Sequence, residues 1–183
     1  MIYSFTLPVV AIVLGLLLAA AGTVLLFRPE PSVRFLKALP RSSLWGNILF
    51  LAGAGWFFAL MATIDLMEYT PQRGLFLWVI AIGTGLVLVF AREFLAVRGL
   101  GILVLLAAQI LLDAAFLRSD PARLVVTLSA YTGIILALFW VGTPYTLRDQ
   151  ITWLTSTPRR IRTSGWAFAG FGAVLVLLGL FVY

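Results

Sequence analysis

Asp113 and Gln109 stand four residues apart in an otherwise apolar run, so on a helix they share one face. Thr127 and Tyr131 repeat that spacing in the next apolar run. Between the two runs lies Ser119-Asp120-Pro121, which reads as a sharp turn with Asp120 as N-cap and Pro121 at the first helical position. An antiparallel pair centred on Asp120 sets position i opposite 240−i, so Asp113 meets Thr127 and Gln109 meets Tyr131.

A carboxyl group at membrane depth is costly and has two uses. It can carry a proton or a cation, or it can join helices through hydrogen bonds that average about 0.6 kcal/mol and reach about 1–2 kcal/mol. Pumps and transporters place several acids in their spans, and here Asp113 is the one acid inside an apolar run. Joining helices is therefore the preferred role, with Thr127, Arg118 or Arg123 as partner. Asn47, near the opposite end of its run, reads as a helix-contact residue.

Composition removes most other chemistry. The chain has no Cys and no His, which excludes disulfides, thiolate nucleophiles, Fe–S clusters, His-ligated haem and Cys/His zinc sites. Its single lysine, Lys37, falls between apolar runs, so no Schiff base to retinal or pyridoxal forms in a span. No acid–base pair accompanies a nucleophile, and Gly83-Thr84-Gly85 lacks the context of a phosphate loop. No catalytic residue, metal site or cofactor is expected.

The elements that position these residues follow from hydropathy. Of 183 residues, 62% are hydrophobic and 11% charged, against about 45–50% and about 25% in soluble domains. An all-α integral membrane protein is the expected class. Six runs approach the ~20 residues that cross a bilayer: 5–27, 44–64, 74–91, 99–117, 124–142 and 165–183. The first lacks the basic n-region of a signal peptide and reads as a span. The connections are too short for a soluble domain, so residues 1–183 are expected to form one transmembrane unit.

Charge sets the expected orientation. With residue 1 outside, ten of the 13 basic residues fall in inner connections and three, Arg73, Arg118 and Arg123, in outer ones. Both termini are then exterior, and the net charge of +6 is a topology signal and not a nucleic-acid footprint. Trp45, Trp140 and Trp166 at inner ends, and Tyr3, Tyr69, Trp78 and Tyr183 towards the outer side, suit interfacial belts. The short loops, with no Cys and no glycosylation sequon, point to a bacterial inner membrane.

The inner connections share basic residues, and two of them share a Pro-Arg-Ser or Pro-Arg-Arg pattern ahead of a span, which suggests three hairpins of one orientation: spans 1–2, 3–4 and 5–6. Residues 31–41 place Arg34, Lys37 and Arg41 on one helical face, with Phe35, Leu36 and Leu39 on the other. Residues 144–154 carry an apolar stripe of Leu147, Ile151 and Leu154, with Thr143 as a candidate cap. Both read as amphipathic interfacial helices. Arg34, Lys37, Arg41, Arg159, Arg160 and Arg162 are the candidates for contact with anionic headgroups.

Small residues recur every fourth position, as Ala11-Gly15-Ala19, Gly55-Ala59, Ala81-Gly85 and Gly165-Ala169-Ala173. Such stripes allow close helix packing, within the chain or against another. The expected function is a non-catalytic structural or accessory subunit of a larger membrane complex, with lipids and other membrane chains, or copies of itself, as partners. A small-solute, proton or cation translocator using Asp113, Gln109, Thr127 and Tyr131 is the alternative, and a lipid-acting enzyme ranks last.

Overall fold

Prolines and hydroxyl side chains mark where the helices begin. The computed structural model describes residues 5–91, 93–118 and 120–183, so Tyr3, Arg92 and Ser119 lie outside the described residues. Pro8, Pro29 and Pro158 occupy the first turns of α1 (Leu7–Phe27), α2 (Pro29–Ala38) and α8 (Pro158–Phe181), where a missing N–H costs nothing. Ser42 Oγ accepts from the N–H of Trp45 at the start of α3 (Ser43–Thr63), and Thr157 Oγ1 accepts from that of Arg160 at the start of α8. Helices α4 (Arg73–Phe90), α5 (Leu95–Ala115), α6 (Arg123–Gly142) and α7 (Tyr145–Leu154) complete the set, with 3₁₀ turns at Leu39–Arg41 and Met67–Gln72. Every described element is helical. Six helices are long and apolar enough to cross a membrane, consistent with an integral membrane protein.

Several boundaries differ from the hydropathy reading. α8 begins at Pro158 rather than 165, and α5 begins at Leu95 rather than 99. An apolar run stops at its first charge, but a helix continues through Arg and Thr once they reach the interface. Asp120 does not cap α6, which begins at Arg123 with Ala122 in the N-cap position and no side-chain cap. Nor does Thr143 cap α7, because its hydroxyl donates back to Phe139 O.

The tightest packing joins the first long helix to the last. Gly15 lies against Gly172, Gly22 against Gly165, and Gly179 against Pro8, an antiparallel register. A Cβ on Gly15 would fall 2.6 Å from Gly172 O, and one on Gly22 would fall 2.6 Å from Gly165 O. Only glycine permits that approach, and in lipid, close backbone contact supplies the dispersion energy that a hydrophobic drive supplies in water. The contact glycines are spaced by seven, two helical turns, which keeps them on one seam.

α5 is the hub of the remaining helices. It runs parallel to α3, with Gly46 against Ala96 and Gly53 against Ile102, and antiparallel to α6, with Gly101 against Ala137. α4 has no buried residue and leans mainly on α3. The closest pairs are thus α1–α8, α5–α6 and α3–α5, none of them the spans joined as 1–2, 3–4 or 5–6.

Two apolar clusters close the ends. At one end Leu7, Val10 and Ala11 meet Ala114, Ala115, Val126 and Leu175. At the other, Leu147 and Ile151 of α7 are buried against Val97 of α5, joined by Leu36, Leu39, Phe94 and Trp140. Part of the apolar stripe on each short helix therefore covers the end of the bundle. Phe94 opens α5 in the left-handed region, at φ 55°. This conformation costs about 1–2 kcal/mol for a non-glycine residue, and its ring packs on the second cluster. The bend from α1 to α2 is fastened by buried Ser32, whose hydroxyl lies 2.7 Å from Arg28 O and 3.3 Å from Val24 O. Val24 O also accepts from the N–H of Arg28 at 2.9 Å and Arg28 O from that of Ser32 at 3.2 Å, so the hydroxyl adds a second bond to each carbonyl at the bend.

Candidate functional site

Two regions hold the polar groups. The first is the α5–α6 pair. A mirror centred on Asp120 sets Gly101 against position 139 and Gly133 against 107, and the observed neighbours are Val141, Ala137 and Trp140 for Gly101 and Val104 for Gly133. The helices are thus within three positions of that register, which puts Asp113 near the level of Thr127 and Gln109 near that of Tyr131. Asp113, Gln109 and Thr127 are half-buried, whereas the Tyr131 side chain is exposed. The Thr127 hydroxyl donates within its own helix to Arg123 O at 3.1 Å. The Arg123 guanidinium donates to Ala115 O across the turn at 3.5 Å. Asn47 is exposed near the start of α3.

Beside this turn sits a tyrosine that the sequence placed only in an interfacial belt. Tyr183 lies two residues beyond α8, and its hydroxyl donates to Ala122 O at 2.5 Å, tying α8 to the α5–α6 turn. Burial, and then the nearby Asp120 carboxylate, raise its pKa above the ordinary phenol value, since both disfavour the phenolate. The folded state favours the neutral form, so this contribution is full below about pH 10 and fades as pH rises through the higher folded value. Tyr183→Phe is expected to cost about 0.5–1.5 kcal/mol near pH 8. Thermal melts in an uncharged detergent should show that gap closing under alkaline conditions, and a gap independent of pH would contradict the assignment.

The second region is the basic end, where α2, α7 and the start of α8 meet. Arg34, Lys37, Arg41, Arg159, Arg160 and Arg162 are all exposed there. They are not equivalent. The Arg160 guanidinium stacks over Trp153, 4.7 Å from its ring centroid, and donates to Ser156 Oγ at 2.7 Å and Trp153 O at 3.3 Å. It fastens the α7–α8 loop. Arg34 reaches Glu30 at 3.9 Å, with both side chains 84% exposed. Arg159 and Arg162 form no ion pair among the described residues. Trp140 Nε1 donates to Gln150 Oε1 at 3.0 Å, tying α6 to α7.

The described residues contain no group of three or more acids placed to hold a metal. No family model, curated protein or solved structure matches this chain.

Proposed function

We infer that the chain is a non-catalytic integral membrane protein, a structural or accessory subunit of a larger membrane assembly. One observation carries this reading: small residues sit on helix faces that no described residue covers. Gly55 of α3 and Gly74, Gly83 and Gly85 of α4 have no neighbour within 4 Å of a built Cβ, and Ala59 and Ala81 are exposed. Glycine weakens a helix unless another backbone comes close. The glycines of α1 and α5, and Gly165, Gly172 and Gly179 of α8, meet that condition within the chain, and those of α4 await a second surface. Trp78, Ile82 and Leu86 beside them are exposed and apolar. The partner is another membrane chain or a second copy.

The test is purification from the native membrane in mild detergent, comparing wild type with Gly85→Leu. The wild type should retain a partner at fixed stoichiometry. The variant should lose it without losing thermal stability, because its own fold has open space there. Equal retention by both, or a lone monomer in both, would remove the reading.

The bundle is one transmembrane unit in a bacterial inner membrane, with its basic end in the cytoplasm and both termini outside. Support for this orientation comes from the ten-to-three split of basic residues. Alkaline phosphatase fused after Tyr183 is expected to be active, and an inactive fusion would reverse the orientation. Lipids carrying anionic headgroups meet Arg34, Lys37, Arg41, Arg159, Arg160 and Arg162. The half-buried Asp113 favours a second reading, a proton or cation path through Asp113, Gln109, Thr127 and Tyr131.

A further inference from the structure

A cleft opens where α1 ends, α2 begins and α8 starts. It holds about 970 Å³, at the upper end of the ~300–1,000 Å³ usual for small-molecule sites. Leu25, Leu26 and Ile161 contribute apolar lining, and Arg34, Arg159 and Arg162 contribute three guanidinium groups. One carboxylate, Glu30, stands against them, and its contact with Arg34 is long and solvent-screened. Arg159 and Arg162 are three apart, so they flank the same side of α8. Arg160, between them, is held by Trp153 and Ser156 and does not line the cleft.

We propose that this cleft binds one anionic phospholipid, its phosphodiester held by Arg159, Arg162 and Arg34 and its acyl chain lying along Leu25, Leu26 and Ile161. Guanidinium groups pair with phosphate oxygens through two parallel hydrogen bonds. A free phosphate uses the charge but leaves the apolar lining wet, whereas a lipid uses both. The cleft also sits where a membrane-length helix gives way to a short amphipathic one, the depth at which headgroups meet hydrocarbon. The inference rests on the reading that the basic end meets headgroups, and is independent of the subunit role.

The experiment uses the full chain in an uncharged detergent. Native mass spectrometry counts bound phosphatidylglycerol or phosphatidylcholine, and inorganic phosphate is titrated as a competitor. The wild type should hold one phosphatidylglycerol in clear preference to phosphatidylcholine. Arg159→Gln/Arg162→Gln should weaken that binding about thirtyfold, two guanidinium contacts at the membrane-surface value for each. Arg118→Gln/Arg148→Gln removes the same charge away from the cleft and should change it less than about threefold, the scale of non-local electrostatics. Arg34→Gln, on a different helix, should weaken it several-fold, and this keeps the test decisive if the α8 double variant misfolds. Equal weakening by Arg159→Gln/Arg162→Gln and Lys37→Gln/Arg41→Gln would overturn the cleft while leaving diffuse headgroup contact standing. No preference for phosphatidylglycerol in any form would overturn both. Displacement of the lipid by millimolar inorganic phosphate would make it a site for a soluble anion and overturn the lipid assignment.

Discussion

Replacing Gly172 with alanine is expected to lower the stability of the detergent-solubilised protein by about 1–3 kcal/mol, the usual cost of overpacking, with Gly22→Ala doing the same. A Cβ on Gly172 would fall 2.5 Å from Gly15 O and closer still to the Ala19 backbone. The atoms in the way belong to main chain, which cannot rotate aside, so α1 and α8 must separate along their length. Gly170→Ala is the control. It lies on the same helix two residues away with nothing within 4 Å, and alanine there should leave stability unchanged or slightly raised. Thermal melts or denaturant titrations of the two variants decide the matter. If Gly172→Ala and Gly170→Ala melt together, the α1–α8 seam is not what holds the bundle.

The second large effect is expected at Asp113. Asp113→Leu removes the charge and all hydrogen-bonding capacity from a half-buried position on the hub helix, and should cost about 1–3 kcal/mol. Asp113→Asn keeps size and most hydrogen bonding, and should cost no more than about 1 kcal/mol if the group joins helices. The paired measurement is proton or cation flux in proteoliposomes. A structural aspartate gives no flux in any form and the stability order wild type, Asn, Leu. Flux in the wild type that vanishes in a stable Asn variant would make Asp113 a carrier and displace the subunit reading.

Much of the helix inventory was legible from hydropathy, because each run of about 20 apolar residues must satisfy its own backbone as a helix. The ends were less so. Arg159 and Arg162 looked like loop charges but sit in the first two turns of α8, since a helix does not stop where its side chains become polar. The register of α5 against α6 was legible from the short turn to within three positions, although Asp120 does not cap α6. The partner of α1 did not follow from anything local, because helix-length connections leave every pairing sterically open. The four-residue stripe pointed to Gly15 and Gly165 but missed Gly22, Gly172 and Gly179. A search at seven-residue spacing would have gathered all five. Tyr183 was legible as an interfacial tyrosine, but its bond to Ala122 joins residues 61 apart, beyond any periodicity.

The α1–α8 seam also sets an order of events during synthesis. Gly22 cannot meet Gly165 until 143 more residues have been added, about 7–30 s at ~5–20 residues per second. Through that interval α1 waits in the bilayer with its narrow glycine face bare, able to pair with any passing helix. The nascent bundle is therefore most open to wrong partners, and to membrane quality control, just before its last helix arrives.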